Sequence, residues 1–133
     1  MPEKRTVERA KAALRAGKSP TTAAGEFVRE EIEHVRHGEH GARSPQQAIA
    51  IGLSQARRAG VPLPPPRKGQ AKERTRRSAE NAYEVGQGKR KPRSPSRKRS
   101  AAALGALKRE RKSSVSRSAL SAQAKRAARR RAR

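Results

Sequence analysis

The chain has 133 residues, of which 35 are Lys or Arg and 11 are Asp or Glu, and its formal net charge at pH 7 is +24. An excess of this size predicts an anionic partner, because the chain otherwise repels itself. Only 32% of the residues are apolar, the aromatic side chains are one Phe and one Tyr, and cysteine is absent. This composition excludes a large hydrophobic core, disulfides and thiol chemistry.

Three short helices are predicted before residue 61. Val7, Ala10 and Leu14 share one stripe of a helix over residues 3–16, which Gly17 ends. Ser19 as N-cap and Pro20 as first helical residue begin a second helix that runs to about His37.

A third helix is predicted from Ser44 to Gly60, with Pro45 at its first position and Gln47 placed to complete a capping box. The expected buried faces are Ala24, Phe27, Val28, Ile32 and Val35 on the second helix and Ala48, Ile49, Gly52, Leu53 and Ala56 on the third.

The fold class that follows is all-α, with a small two- or three-helix N-terminal module and a largely disordered basic tail that contains helix-forming segments. We place the module at residues 1–60, a stiff proline-rich linker at 61–70 and the basic, nucleic-acid-binding tail at 71–133. Helix-forming segments are predicted at Ser78–Glu84, from Ser100 to about Lys112 and from about Ser118 to Arg130. Residues 113–116 separate the last two segments. These segments are too lightly apolar to pack as a core.

The basic tail carries the strongest functional signal. From Lys89 to Arg133 there are 18 Lys or Arg residues and one acidic residue, Glu110, so nucleic acid is the expected partner. The predicted phosphate contacts are Lys89, Arg90, Lys91, Arg93, Arg97, Lys98, Arg99, Lys108, Arg109, Arg129, Arg130 and Arg131.

The second and third helices differ in whether their outer faces could contact nucleic acid. Glu26, Glu30 and Glu33 are expected on the outer face of the second helix, where phosphate would repel them. The third helix carries polar side chains that either contact nucleic acid secondarily or form an ordinary polar face: Gln47, Gln55, Arg57 and Arg58.

The histidines and the remaining acidic residues indicate no metal, cofactor or catalytic site. On a continued helix His34, His37 and His40 would spread apart, and Gly38 interrupts that helix. Glu31 falls in the apolar arc of the second helix, where we expect it to reach solvent or pair with an arginine. We therefore expect a protein that is not an enzyme and has no small-molecule substrate.

Two resemblances add to this interpretation. Ser94-Pro95-Ser96-Arg97 resembles the Ser-Pro basic motifs of linker-histone tails, which leaves open a groove-binding turn or a plain linker. The run QAIAIGLSQARRAG, within residues 19–66, resembles a family of small basic bacterial domains of uncharacterised function, which implies a bacterial source and a compact helical module. The Ala-, Lys- and Arg-rich C-terminal half is similar in composition to bacterial histone-like tails.

The functional hypothesis is sequence-tolerant DNA binding by a nucleoid-associated, cytoplasmic, histone-like protein, with possible self-association through the module. One alternative is an RNA-binding or ribosome-associated protein, which uses the same charge. A second is a membrane-active cationic protein built on the Ala- and Leu-containing helices. The lack of an apolar run of roughly 20 residues, and of large apolar groups in those helices, makes membrane a less expected partner.

Overall fold

A computed structural model describes residues 2–132, and within them the chain forms six α-helices, one 3-10 turn and no β-strand. The elements are α1 (Lys4–Arg15), α2 (Pro20–Arg36), α3 (Pro45–Arg58), α4 (Glu73–Gly86), α5 (Arg97–Arg109), the 3-10 turn (Ser113–Val115) and α6 (Arg117–Arg131). The helical prediction is confirmed. The prediction of a largely disordered tail is wrong, because α4, α5 and α6 all lie within it.

The predicted starts of α2 and α3 are confirmed by their capping contacts. The Ser19 hydroxyl accepts a hydrogen bond from the backbone N–H of Thr22 at 3.2 Å, and α2 begins at Pro20. Ser44 accepts in the same way from the N–H of Gln47 at 3.2 Å. The Gln47 side chain in turn accepts from the N–H of Arg43 at 2.6 Å, one residue earlier than in a regular capping box.

The described chain divides into two compact units, each built from two separate stretches of sequence. The first unit comprises Met1–Glu30 and Ile51–Arg93. Its buried core consists of Ala10, Ala23, Ala24, Phe27, Ala56 and Val61. Small side chains dominate this core, so it depends on close helix packing rather than on large apolar groups.

The proline-rich segment, which was predicted to be a stiff spacer, begins within the core of the first unit. Val61 is 4% exposed and belongs to its core. The Arg57 guanidinium donates to the backbone carbonyls of Leu63 and Pro64, both at 3.1 Å. Through these two hydrogen bonds, Arg57 holds the segment in place. Burial lowers the pKa of Arg57 below its usual value.

The second unit comprises Glu31–Ala50 and Ser94–Arg133, and it holds the C-terminal helices. Its core is Val35, Ala42, Ala48 and Val115, with Ile32 packed beside it. The backbone N–H of Gly41 donates to the carbonyl of Leu107 at 2.7 Å, and that of Ala42 donates to the carbonyl of Arg111 at 2.9 Å. The helices α5 and α6 bury no residue of their own. They are therefore held in the second unit by these backbone hydrogen bonds and by the buried side chain of Val115.

Glu30 does not lie on an outer face, as the helical pattern suggested. Its side chain is buried, at 5% exposure, and one carboxylate oxygen accepts from the backbone N–H of Glu3 at 2.6 Å and from the Thr6 hydroxyl at 3.1 Å. A carboxylate at the first turn of α1 satisfies N–H groups that the helix leaves unpaired. Glu30 thus anchors α1 within the first unit.

Acidification is expected to weaken α4 through Glu73. The hydrogen bonds and charge of Arg76, followed by those of Arg77, hold the pKa of Glu73 below its usual value. When the pKa of a carboxyl group is lower in the folded state than in the unfolded state, its ionised form stabilises the fold at pH values above the unfolded-state pKa. This contribution is lost as the pH falls through the folded-state pKa. In an acid titration followed by circular dichroism, wild type should exceed Glu73→Gln in stability near neutral pH and lose that advantage in acid. An advantage that persists in acid would contradict this assignment.

Candidate nucleic-acid interface

The twelve basic residues predicted to contact phosphate are all exposed in the structure. Lys89, Arg90, Lys91 and Arg93 precede α5, at the end of the first unit. Those of the second unit lie at helix ends: Arg97, Lys98 and Arg99 in the first turn of α5, Lys108 and Arg109 in its last turn, and Arg129, Arg130 and Arg131 in the last turn of α6. Since neither α5 nor α6 contains an Asp or Glu, neither helix can pair its cations internally.

A hollow of about 350 Å³ in the second unit brings three arginines together. Arg126, Arg129 and Arg130 line it, opposite Gln46 near the start of α3. The spacing of the three arginines places them on one face of α6, because positions three and four residues apart are neighbours on a helix. Of the residues that the structure describes, three arginines and no acidic residue therefore line this hollow, which makes it positively charged.

A second hollow, of about 430 Å³, adjoins the first at Arg126. We call the two hollows together the α6 groove. Four serines and one further arginine, Arg111, contribute to the lining of this second hollow. Its full lining is Pro45, Arg111, Ser113, Ser114, Ser116, Ser118, Ala119, Ala122 and Arg126. Guanidinium and hydroxyl groups are among the side-chain donors that contact phosphate oxygens in protein–DNA complexes.

The serines of the groove also define the start of α6. The Ser116 hydroxyl accepts from the backbone N–H of Ala119 at 3.2 Å and lies 3.2 Å from the Ser118 hydroxyl. As at any helix N-terminus, the backbone N–H groups of this first turn that have no partner within the helix favour anions. By contrast, the Ser114 hydroxyl is buried and donates to the carbonyl of Ala42 at 2.6 Å, so it serves the fold.

The structure gathers only part of the predicted set. Arg129 and Arg130 belong to the groove, whereas Arg111, Arg126 and Gln46 were not predicted. The spacing of Arg126 from Arg129 and Arg130 is the signal that could have identified it. The pairing of α6 with the start of α3 joins residues about 80 positions apart, and no local pattern reveals it.

The polar face of α3 is less open than the sequence suggests. Arg57 is 8% exposed and engaged with the proline-rich segment, as described above. Gln47 is half-buried, with its side chain bonded to the backbone of Arg43, and Gln55 is also half-buried. Of the four residues considered on this helix, Arg58 alone is exposed.

The Ser-Pro run initiates a helix. Residues 91–96 are irregular, and the Ser96 hydroxyl caps α5 by accepting from the backbone N–H of Arg99 at 3.1 Å. Three cations then occupy the first turn of α5 without an acidic residue, an arrangement that the helix dipole disfavours. A phosphate bound at this end would offset that cost.

A second cluster of polar side chains lies at the end of α2. The chain turns back at Gly38, where φ is +83°, and this brings His40 to Glu31. The His40 Nε2 atom is 2.6 Å from one oxygen of Glu31, and the His34 Nδ1 atom is 4.0 Å from the other. The turn at Gly38 takes His40 off the helix, so the spreading expected of a continued helix does not apply. Glu31 is 2% exposed and does not reach solvent. His37 is exposed and lies outside the cluster.

Within residues 2–132, none of the helices combines the length and the apolar character that are needed to cross a membrane.

Comparison with known proteins is consistent with an uncharacterised domain family in the N-terminal part of the chain. Residues 4–68, just under half of the chain, match a family of unknown function (DUF6496). No curated protein and no solved structure matches the chain. The matched stretch contains α1, α2, α3 and the proline-rich segment, whereas α5 and α6, which supply the basic helices, lie beyond it.

Proposed function

We propose that the protein binds duplex DNA without strong sequence preference, as a nucleoid-associated protein that neutralises phosphate charge. The α6 groove is the main contact in this proposal, and no catalytic step is assigned to the chain. The observation that carries the proposal is the convergence of Arg126, Arg129 and Arg130 on one hollow. Arginine presents several N–H donors in a planar fork that matches phosphate oxygens.

The contrast between α4 and α6 supports this assignment. On α4, Arg76 pairs with Glu73 and Glu80, and Arg77 pairs with Glu73, so these cations are neutralised within the helix. On α6, six basic residues and no acidic residue lie between Arg117 and Arg131. Since like charges on neighbouring turns destabilise a helix, an external anion would stabilise α6. The phosphates of nucleic acid are anions that Lys and Arg side chains neutralise, with release of counterions.

The aromatic residues favour a duplex over a single strand. Proteins that bind single-stranded nucleic acid usually stack bases on aromatic side chains. Phe27 is fully buried in the core of the first unit, Tyr83 is half-buried on α4, and the chain has no further aromatic residue. The α6 groove therefore offers phosphate contacts without a stacking surface, which suits a regular backbone.

Titration across a salt series tests the proposal. The full chain is titrated with duplex DNA, with a structured RNA of equal length and with polyglutamate as a non-nucleic polyanion. We expect DNA binding at least as tight as RNA binding, with a log-log salt slope of about 0.9 per phosphate contacted. A clear RNA preference would move the protein to the RNA-binding class, and equal affinity for polyglutamate would refute phosphate recognition.

A further inference from the structure

The cluster at the end of α2 has the composition of a metal site. Glu31 and His34 lie on α2, and His40 follows the turn at Gly38. One ligand atom from each of the three side chains lies within 4.8 Å of the others. The Glu31 side chain is 3% exposed, that of His40 is 10% exposed and that of His34 is 20% exposed, so the cluster is largely shielded but reaches solvent at one side.

The second ring nitrogen of each histidine has its own acceptor. The His40 Nδ1 atom is 2.8 Å from the carbonyl of Gly41, and the His34 Nε2 atom is 3.3 Å from a carboxylate oxygen of Glu39. A neutral imidazole can donate from one nitrogen only. In the metal-free chain, the 2.6 Å contact between His40 Nε2 and Glu31 requires a proton between the two atoms. A metal ion would take the place of that proton, and each ring could then donate from its outer nitrogen and offer the lone pair of its inner nitrogen to the ion. Histidines that bind metals typically show this arrangement, with the outer N–H held by a carbonyl or a carboxylate.

We propose that Glu31, His34 and His40 bind a divalent transition-metal ion of the zinc class. Two imidazole nitrogens and one carboxylate oxygen form a familiar zinc ligand set, with bonds of about 2.0–2.2 Å and a solvent molecule in the fourth position. In that geometry the ligand atoms lie about 3.3 Å apart. Binding would therefore lengthen the 2.6 Å distance between His40 Nε2 and Glu31 and shorten the 4.0 Å distance between His34 Nδ1 and Glu31. Rotation of the side chains would supply both changes.

Such an ion would stabilise the second unit. It would fasten His40 to α2, and the next two residues, Gly41 and Ala42, donate the hydrogen bonds that dock Leu107 and Arg111. Metal binding to the folded state but not to the unfolded chain raises the stability of the fold by mass action. The ion would in this way support the docking of the segment that joins α5 to α6.

The test is a titration of the metal-free full chain with Zn²⁺ and with Co²⁺, whose visible absorption reports coordination. We expect one equivalent to bind and the second unit to melt at a higher temperature. His34→Gln and His40→Gln should each weaken binding by roughly 10-fold or more, by analogy with the loss of groups that support a metal site. The matched control is His37→Gln, which removes an exposed histidine outside the cluster and should bind as wild type does.

Unchanged affinity in both cluster variants, or equal loss in His37→Gln, would overturn the proposal. If His40→Gln lowers the helix content by itself, His34→Cys and His40→Cys decide the matter. A cysteine thiolate on Co²⁺ produces a charge-transfer band in the near ultraviolet that no other group of this chain can give, because the natural sequence has no cysteine. Absence of this band in both variants would exclude the site.

Discussion

Replacing Arg126, Arg129 and Arg130 together by glutamine is expected to lower the affinity for duplex DNA about 100-fold near 0.1 M salt, on the basis of about 1 kcal/mol for each charge-assisted contact. The three side chains line one hollow, so one length of DNA backbone would contact them together. Glutamine keeps a good helix propensity, and α6 should remain helical. Fluorescence anisotropy with a labelled duplex measures the change.

The matched control removes the same charge from the first unit. Lys11 and Arg15 are exposed in the C-terminal half of α1 and Lys18 is exposed just after it, and their replacement by glutamine also lowers the net charge by three. If the α6 groove is the main contact, the groove variant should lose about 2.7 from the log-log salt slope, at about 0.9 per contact, while the control loses much less. Equal losses in the two variants would show that net charge alone governs binding and would remove the groove from the proposal.

Local sequence signals predicted the helical elements well. Ser19 with Pro20 and Ser44 with Pro45 mark the starts of α2 and α3, because capping depends on residues within three or four positions. Of the helix-forming segments predicted in the C-terminal half, the last two match α5 and α6 to within about three residues at each end, whereas Ser78–Glu84 covers only half of α4. The division into a module, a linker and a binding region remains a prediction about function.

The disordered tail was predicted from side-chain composition, and composition does not report backbone pairing. α5 and α6 bury no residue, as their low apolar content suggested. The docking residue is Val115, in the 3-10 turn between them, which is fully buried among residues more than 60 positions earlier in the chain. Hydrogen bonds from Gly41 and Ala42 reinforce it. A single valine between two polar helices has no periodic signal.

The part of the α6 groove beyond Arg129 and Arg130 and the histidine cluster were not predicted, for the same reason. The α6 groove depends on the approach of Gln46 to α6, and the histidine cluster depends on the turn at Gly38. Gly38 was correctly predicted to follow the end of the second helix. The path of the backbone beyond a helix end, however, is determined by tertiary contacts. His40 returns to α2 because Ala42 is held in the core of the second unit.

Replacing Gly41 by alanine is expected to destabilise the second unit by about 3 kcal/mol or more. A Cβ atom at this position would overlap the backbone carbonyl of Glu110 and would also lie 2.9 Å from the carbonyl oxygen of Arg111. Backbone atoms cannot move aside as the end of a side chain can, so the two segments must separate, which places the cost at the upper end of overpacking changes. The Gly41 hydrogen bond to Leu107 would break with that separation.

Gly25→Ala provides the control, because the same change on α2 meets nothing within 4 Å. There, alanine should stabilise the helix by up to about 1 kcal/mol through its higher helix propensity. Hydrogen exchange read by mass spectrometry distinguishes the units: Gly41→Ala should remove protection from the amides between Leu107 and Val115 and leave α1 protected. Wild-type protection in that segment would mean that the C-terminal helices do not depend on the Gly41 contact, and the docking described for the second unit would then be wrong.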